Sequence, residues 1–315
     1  MNSSSHSPSC SQFASGLASG ASVLEWRPNF FTSELFVALI SVTIVNLLVT
    51  PLAIFLNVLV ILAVKATPQL RNKYNVLLAC LAGTDVMTGA LGQPLFIIEL
   101  IYRLTGSPAS EFCIISHTAR SLSRAFALIS LQHLALISLE RYISIKFPFK
   151  YDNIVTKRRL IVNVVFVWLL VFLQILFFRY KIFSLGYFLL GLAISLASFI
   201  LIFCRIASYH EARKQLKNIT TQSAKAKLLN QKKALKTTSL VIGLVLLFCL
   251  PMILFRLVFV FLKSSPETFL AIESFMLTLL LYNSVVNPVI YCARSRQYRR
   301  AFKKLLHIAN NVQPV

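Results

Sequence analysis

Seven apolar runs, each close to the length needed to cross a bilayer, constrain this 315-residue chain more than any other feature. They fall at roughly 34–64, 74–102, 112–146, 160–178, 184–209, 237–262 and 268–292. A helix needs about 20 apolar residues to span the hydrocarbon core. Only a structure that satisfies its own backbone can lie there. The expected fold class is an all-α membrane protein, a seven-transmembrane helix bundle. The chain is 57% hydrophobic with ten acidic groups, which excludes a soluble domain of this size. Pro51, Pro94, Pro251 and Pro288 fall inside runs, which neighbouring helices make tolerable in a membrane bundle. Several runs exceed the minimum span, so tilt or extension beyond the bilayer is expected.

The net charge of +22 resides in the segments between runs. Lys65, Arg71 and Lys73 follow the first, and Lys146, Lys150, Lys157, Arg158 and Arg159 follow the third. A run of basic residues from Arg213 to Lys236 follows the fifth, and another from Arg294 to Lys304 follows the seventh. The alternate segments are poorer in Lys and Arg. Basic loops stay in the cytoplasm, so the expected arrangement is a plasma-membrane protein with its N-terminus extracellular and its C-terminus cytoplasmic. This distribution argues against nucleic acid as a partner.

Three parts follow. Residues 1–33 read as a flexible extracellular tail, 34–292 as the bundle, and 293–315 as an amphipathic helix with a short cytoplasmic tail. Ser295 to Leu306 places Tyr298, Phe302, Leu305 and Leu306 on one side among basic residues, a pattern suited to an anionic lipid surface. Asn2-Ser3-Ser4 is a glycosylation acceptor pattern. No basic start followed by an apolar core precedes the first run, so that run is expected to direct the chain to the membrane. The six cysteines have neither metal-ligand spacing nor the pattern of a disulfide framework.

Glu140-Arg141-Tyr142 ends the third run and Asn287-Pro288-Val289-Ile290-Tyr291 ends the seventh. Asn57 lies in the first run, Asp85 in the second, Trp168 in the fourth and Pro251 in the sixth. Together, in this order, these residues resemble the rhodopsin-like G-protein-coupled receptors, over about residues 34 to 306. The resemblance implies a receptor that senses an extracellular ligand, activates a heterotrimeric G protein, meets arrestin and catalyses nothing itself. It implies that Arg141 pairs with Glu140 at rest and meets the G protein when the sixth span swings out, with Tyr142, Asn287, Pro288 and Tyr291 completing the switch. It also implies a sodium ion among Asp85, Ser130, Asn283 and Ser284, near Asn57. Read from the residues alone, the same cluster is a hydrogen-bonded polar core. Ser130 lies 11 residues before Arg141, about three helical turns, so both share one face.

Several positions depart from the family's pattern. Ser116 stands where a disulfide cysteine is usual, with Cys113 one turn earlier. A Cys10–Cys113 bridge and free thiols are both open. The fourth-to-fifth connection is short and the fifth run has no proline. These features are similar to the branch holding the melanocortin, lysophospholipid, cannabinoid and adenosine receptors. Cys249 replaces the usual sixth-span tryptophan, Phe203 the fifth-span tyrosine, and Gln231 the acid that helps hold the arginine. Raised signalling without ligand is the expected consequence. Ser123 stands where amine receptors carry an aspartate, which argues against a monoamine held in that way.

Helical phase brings Glu99, Arg120, Arg256 and Glu273 to the pocket mouth, with Arg124 about 100° off the inward stripe. Ser123 and Cys249 lie deeper. Two readings stand: an anionic or zwitterionic ligand, such as a lysophospholipid or carboxylate, held by Arg120 and Arg256, or internal pairing of the arginines with Glu99 and Glu273. The competing function class is a multi-span transporter, for which an internal repeat with broken helices would be expected. The sequence shows none. A retinal protein would need a lysine within 268–292, and that run contains none.

Overall fold

The computed structural model describes residues 32–105, 109–179, 183–218 and 266–306, with scattered positions between 222 and 247. Asn2, Cys10, Gln231, Cys249, Pro251 and Arg256, and the side chain of Cys113, lie outside the described residues. Every regular element among the described residues is helical.

The first span is Ser33–Ala66. Thr32 caps it, its side chain accepting from Leu35 N. Leu39, Asn46, Ala53 and Val60, seven residues apart, are buried. That interval is two helical turns, so they make one inward stripe. Val37 and Leu48, on the other side, are 62% and 70% exposed. Exposed apolar residues also cover the fourth span, as at Val162, Phe166 and Leu169. Water would penalise such a surface and lipid does not. Five described helical segments are long and apolar enough to cross a membrane.

The second span starts at Lys73, capped by Asn72. It runs as α-helix to Met87, as one π turn over Thr88–Gly92, and as α-helix again over Gln93–Thr105. Pro94 explains the π turn. Proline lacks the N–H for its helical bond and its ring collides with the carbonyl four residues back. One widened turn before it absorbs both defects. The third span, Ala109–Lys146, packs against the second, fourth and fifth. The fourth is Lys157–Arg179, the fifth Phe183–Asn218 and the seventh Pro266–Arg294. Described positions of the sixth, such as Leu235, Ser239 and Ile242, are helical. Pro51 and Pro288 lie inside unbroken helices.

Two boundaries differ from the sequence reading. The fifth helix continues to Asn218, beyond the apolar run ending at 209. Its polar end still has a reason to be helical. Ser208 and Ala212 stay buried on one stripe, and Gln215 Nε2 donates to Ile145 O at 2.8 Å. The final short helix is Arg296–Leu305, capped by Ser295. Tyr298, Ala301 and Phe302 form its buried side, and Leu306 falls outside the helix and is exposed.

Candidate functional site

Three sets of polar side chains lie along the bundle. The middle set centres on Asp85, which is buried. Its Oδ1 accepts from Ser130 Oγ at 3.4 Å and Ser284 Oγ at 3.1 Å, and its Oδ2 from Asn287 Nδ2 at 3.0 Å. Asn57 Nδ2 donates to Ala53 O at 2.9 Å and to Ser284 O at 2.7 Å, fixing the first span to the seventh. The side-chain oxygens of Asn57, Asn283 and Asn287 are buried with no donor. Carboxylate and orphan acceptors together make a surplus of hard oxygen in a dry place. That donor set fits a small hard cation such as sodium.

The second set closes the Arg141 end. Arg141 donates from Nε and Nη2 to both oxygens of Glu140, a bidentate pair. Its guanidinium lies over the ring of Tyr74, 4.2 Å from the centroid. Tyr151, on the one-turn helix Tyr151–Ile154 between the third and fourth spans, donates its hydroxyl to Glu140 Oε1. Burial, and next the negative charge of Glu140, push the Tyr151 hydroxyl well above its usual range. It therefore remains a proton donor at physiological pH. Lys73 Nζ lies 4.5 Å from the centroid of the Tyr151 ring and 2.6 Å from Asp152 Oδ1, holding the short helix in place. Tyr291 is buried, and its ring centroid is 5.9 Å from that of Tyr298. Tyr298 in turn donates to Asn75 Oδ1 at 3.2 Å.

The third set is at the opposite end. Glu99 is fully buried. Its Oε1 accepts from Arg103 Nη2 at 2.8 Å, Arg120 Nη2 at 2.9 Å and Ser116 Oγ at 3.0 Å. Arg120 also donates to Glu273 Oε2, bridging the second span to the seventh. Arg124 Nη2 is 3.8 Å from Glu273 Oε1. Ser123 is buried beneath, its hydroxyl unpartnered. At this mouth, Glu99, Arg120, Arg124 and Glu273 are brought together by internal pairing.

Helical phase missed several participants. Arg103 lies four residues after Glu99, one turn away, so that spacing was a usable signal. Tyr74 and Tyr151 come from other elements, and no local period points to them. Phe203, which the family pattern sets at the fifth-span tyrosine position, is half exposed and packs edge-on to Tyr142. The inward stripe is instead Leu201, Cys204, Ser208 and Ala212. Tyr142 turns toward Phe203 and accepts from Lys146 at 2.7 Å.

Membrane-crossing helices around a buried carboxylate, with a charged mouth at one end and a paired arginine at the other, define the G-protein-coupled receptor class. Residues 56–182 and 179–291 match the family described as 7 transmembrane receptor (rhodopsin family), and the chain belongs to it. It is 31% identical to the histamine H2 receptor of Rattus norvegicus over 281 residues, covering 80% of this chain and 75% of the relative. It is 26% identical to the adenosine receptor A2a of Homo sapiens over 314 residues, covering 86% and 73%. The protein is thus a multi-pass membrane receptor that couples to a G protein and answers an extracellular ligand.

Proposed function

We propose that this receptor lies in the plasma membrane with its N-terminus outside, and that its ligand carries an anionic group that competes with Glu99 and Glu273 for Arg120. The observation that carries this reading is Arg120 itself. It bridges carboxylates on two different spans at the mouth. A carboxylate or phosphate arriving there can take over one arm of the guanidinium without stranding it. It would release one span from the bridge, and ligand binding would so bias the bundle between two arrangements. Among the described mouth residues, Arg103, Arg120 and Arg124 face Glu99 and Glu273, leaving one positive charge in excess. A zwitterion or a lysophospholipid-like headgroup satisfies the same chemistry.

The histamine and adenosine receptors among its relatives give the alternative ligands. Ser123 leaves no carboxylate at the aspartate position where an amine would be held, which argues against histamine bound in that way. At the other end, the Glu140–Arg141 pair is the resting contact of the switch. Release of Arg141 from Glu140 and Tyr151 frees it for the G protein, and arrestin meets the same face. Asp85, Ser130, Asn283 and Ser284 would hold the sodium ion, whose charge would balance the carboxylate. The protein catalyses nothing itself.

The test is a surface-expressed receptor screened for G-protein activation against lysophospholipids, small carboxylates, amines and nucleosides. An anionic or zwitterionic agonist is expected. Its potency should fall at least roughly tenfold in Arg120→Gln, the loss of about one charge-assisted hydrogen bond. An agonist with no anionic group, or one equally potent on Arg120→Gln at equal surface expression, would overturn the ligand reading.

A further inference from the structure

Arg205 is a cation within the fifth span, and no described carboxylate pairs with it. An arginine at membrane depth is costly and normally finds an acid or reaches for the interface. Arg205 instead reaches across to two other spans. Nη1 donates to Leu235 O at 3.1 Å and to Ser239 Oγ at 3.3 Å, both on the sixth span. Nη2 donates to Ser138 Oγ at 3.4 Å, on the third. Ser138 lies three residues before Arg141. Ser239 Oγ itself donates to Leu235 O at 2.9 Å, so the guanidinium seizes a carbonyl already in use. Ile145, Ala212 and Leu235 form a small apolar cluster from the same three spans.

We infer that Arg205 is the clasp that holds the sixth span against the third when no ligand is bound. It takes up the work of the acid that Gln231 replaces. The geometry is right for that role. Among the described residues its hydrogen bonds to the sixth span go to Leu235 and Ser239, and both are lost if that span moves outward. The contact to Ser138 keeps the guanidinium anchored near Arg141. The clasp grips through neutral acceptors, so it is weaker than an ion pair. A grip of that kind leaves the resting state held but not firmly locked. The inference rests on the outward swing of the sixth span in the receptor reading above.

The test is Arg205→Met, with Arg205→Lys as the conservative variant, in two assays. Ligand-free G-protein activation is measured at matched surface expression across a panel of G proteins. Separately, spin labels at I161C and L240C, in receptor with its other cysteines replaced, report the distance between fourth and sixth spans in lipid nanodiscs. Both introduced sites are exposed. Arg205→Met is expected to raise basal activation and the long-distance fraction by up to about tenfold, as for the loss of one charge-assisted hydrogen bond. Arg205→Lys should fall between it and the wild type. If Arg205→Met fails to reach the surface, Ser138→Ala with Ser239→Ala removes two of the three acceptors and should shift both assays the same way. An unchanged distance distribution and unchanged basal activation in the variant that reaches the surface would overturn the clasp. A longer distance without added signalling supports the clasp and tells against the coupling step. A wild type that shows no long-distance fraction with any G protein tells against the swing itself.

Discussion

Asp85 shows what one residue can decide. Its three side-chain donors are all neutral, and the side-chain oxygens of Asn57, Asn283 and Asn287 on the first and seventh spans are buried without a donor. A buried carboxylate with this little compensation is stabilised either by a proton or by a cation. A sodium ion at the cluster binds only the folded bundle, so it must raise stability by mass action, by about 1.4 kcal/mol when sodium exceeds its dissociation constant tenfold. Purified receptor should therefore melt at higher temperature in sodium chloride than in N-methylglucamine chloride of equal ionic strength. Asp85→Asn keeps the shape but removes the charge, and should abolish the difference. Equal melting temperatures for the wild type in both salts would leave the cluster as a hydrogen-bonded core. Arg120 belongs to the same scale of argument but to a different balance. There the two carboxylates already have arginines, so both acids are paired before any ligand arrives and one positive charge is left over.

Among elements, the second span is the one whose path decides the site. Its π turn brings Gly89 so close to the first span that an added Cβ would sit 2.8 Å from Ile54 Cγ1. A side chain there forces the Ile54 side chain or its helix to shift, and overpacking of this kind costs about 1–3 kcal/mol. Gly89→Val should lower the melting temperature of the purified receptor, and Ile54→Ala in the same chain should restore much of the loss. Absence of rescue would mean that the two helices do not meet there. The π turn also marks the limit of what the sequence tells. Pro94 announces a defect in the second helix, but not whether it will be a kink or a widened turn. The grouping of Asp85 with Ser130 and Ser284 was legible through the family resemblance, which names these polar residues together. So was the Glu140–Arg141 pair, which is local. Tyr151 on Glu140, Tyr74 under Arg141 and Arg205 on the sixth span were not, since they depend on how separate elements are placed. Which residues of the fifth span face inward was not legible either: the family pattern points to Phe203, while the helix presents Leu201, Cys204 and Ser208 inward and turns Phe203 outward.

For the molecule as a whole, the question is which way it faces. The Glu99 mouth and the Arg141 end are at opposite ends of one bundle, so orientation decides which of them meets ligand and which meets G protein. The bundle itself has no preference, because lipid surrounds both ends alike. The loops have one. Lys146, Lys150, Lys157, Arg158 and Arg159 adjoin the Arg141 end, and Arg296, Arg299, Arg300, Lys303 and Lys304 lie on the short helix beside it. Basic residues near a span resist translocation, and each contributes about 1 kcal/mol against an anionic cytoplasmic leaflet. At the mouth, by contrast, Arg103 is buried, Arg120 is partly buried, and both are tied to Glu99, so they present little charge to a leaflet. The asymmetry is therefore larger than a count of basic residues implies, and the orientation expected from it has the mouth outside. An epitope tag at the N-terminus should be stained in intact cells, and one after Val315 only after permeabilisation. Staining of the C-terminal tag on intact cells would reverse the molecule. It would put the Arg120 mouth in the cytoplasm, where no extracellular ligand could reach it, and the reading of Arg120 as a ligand contact would fall with it.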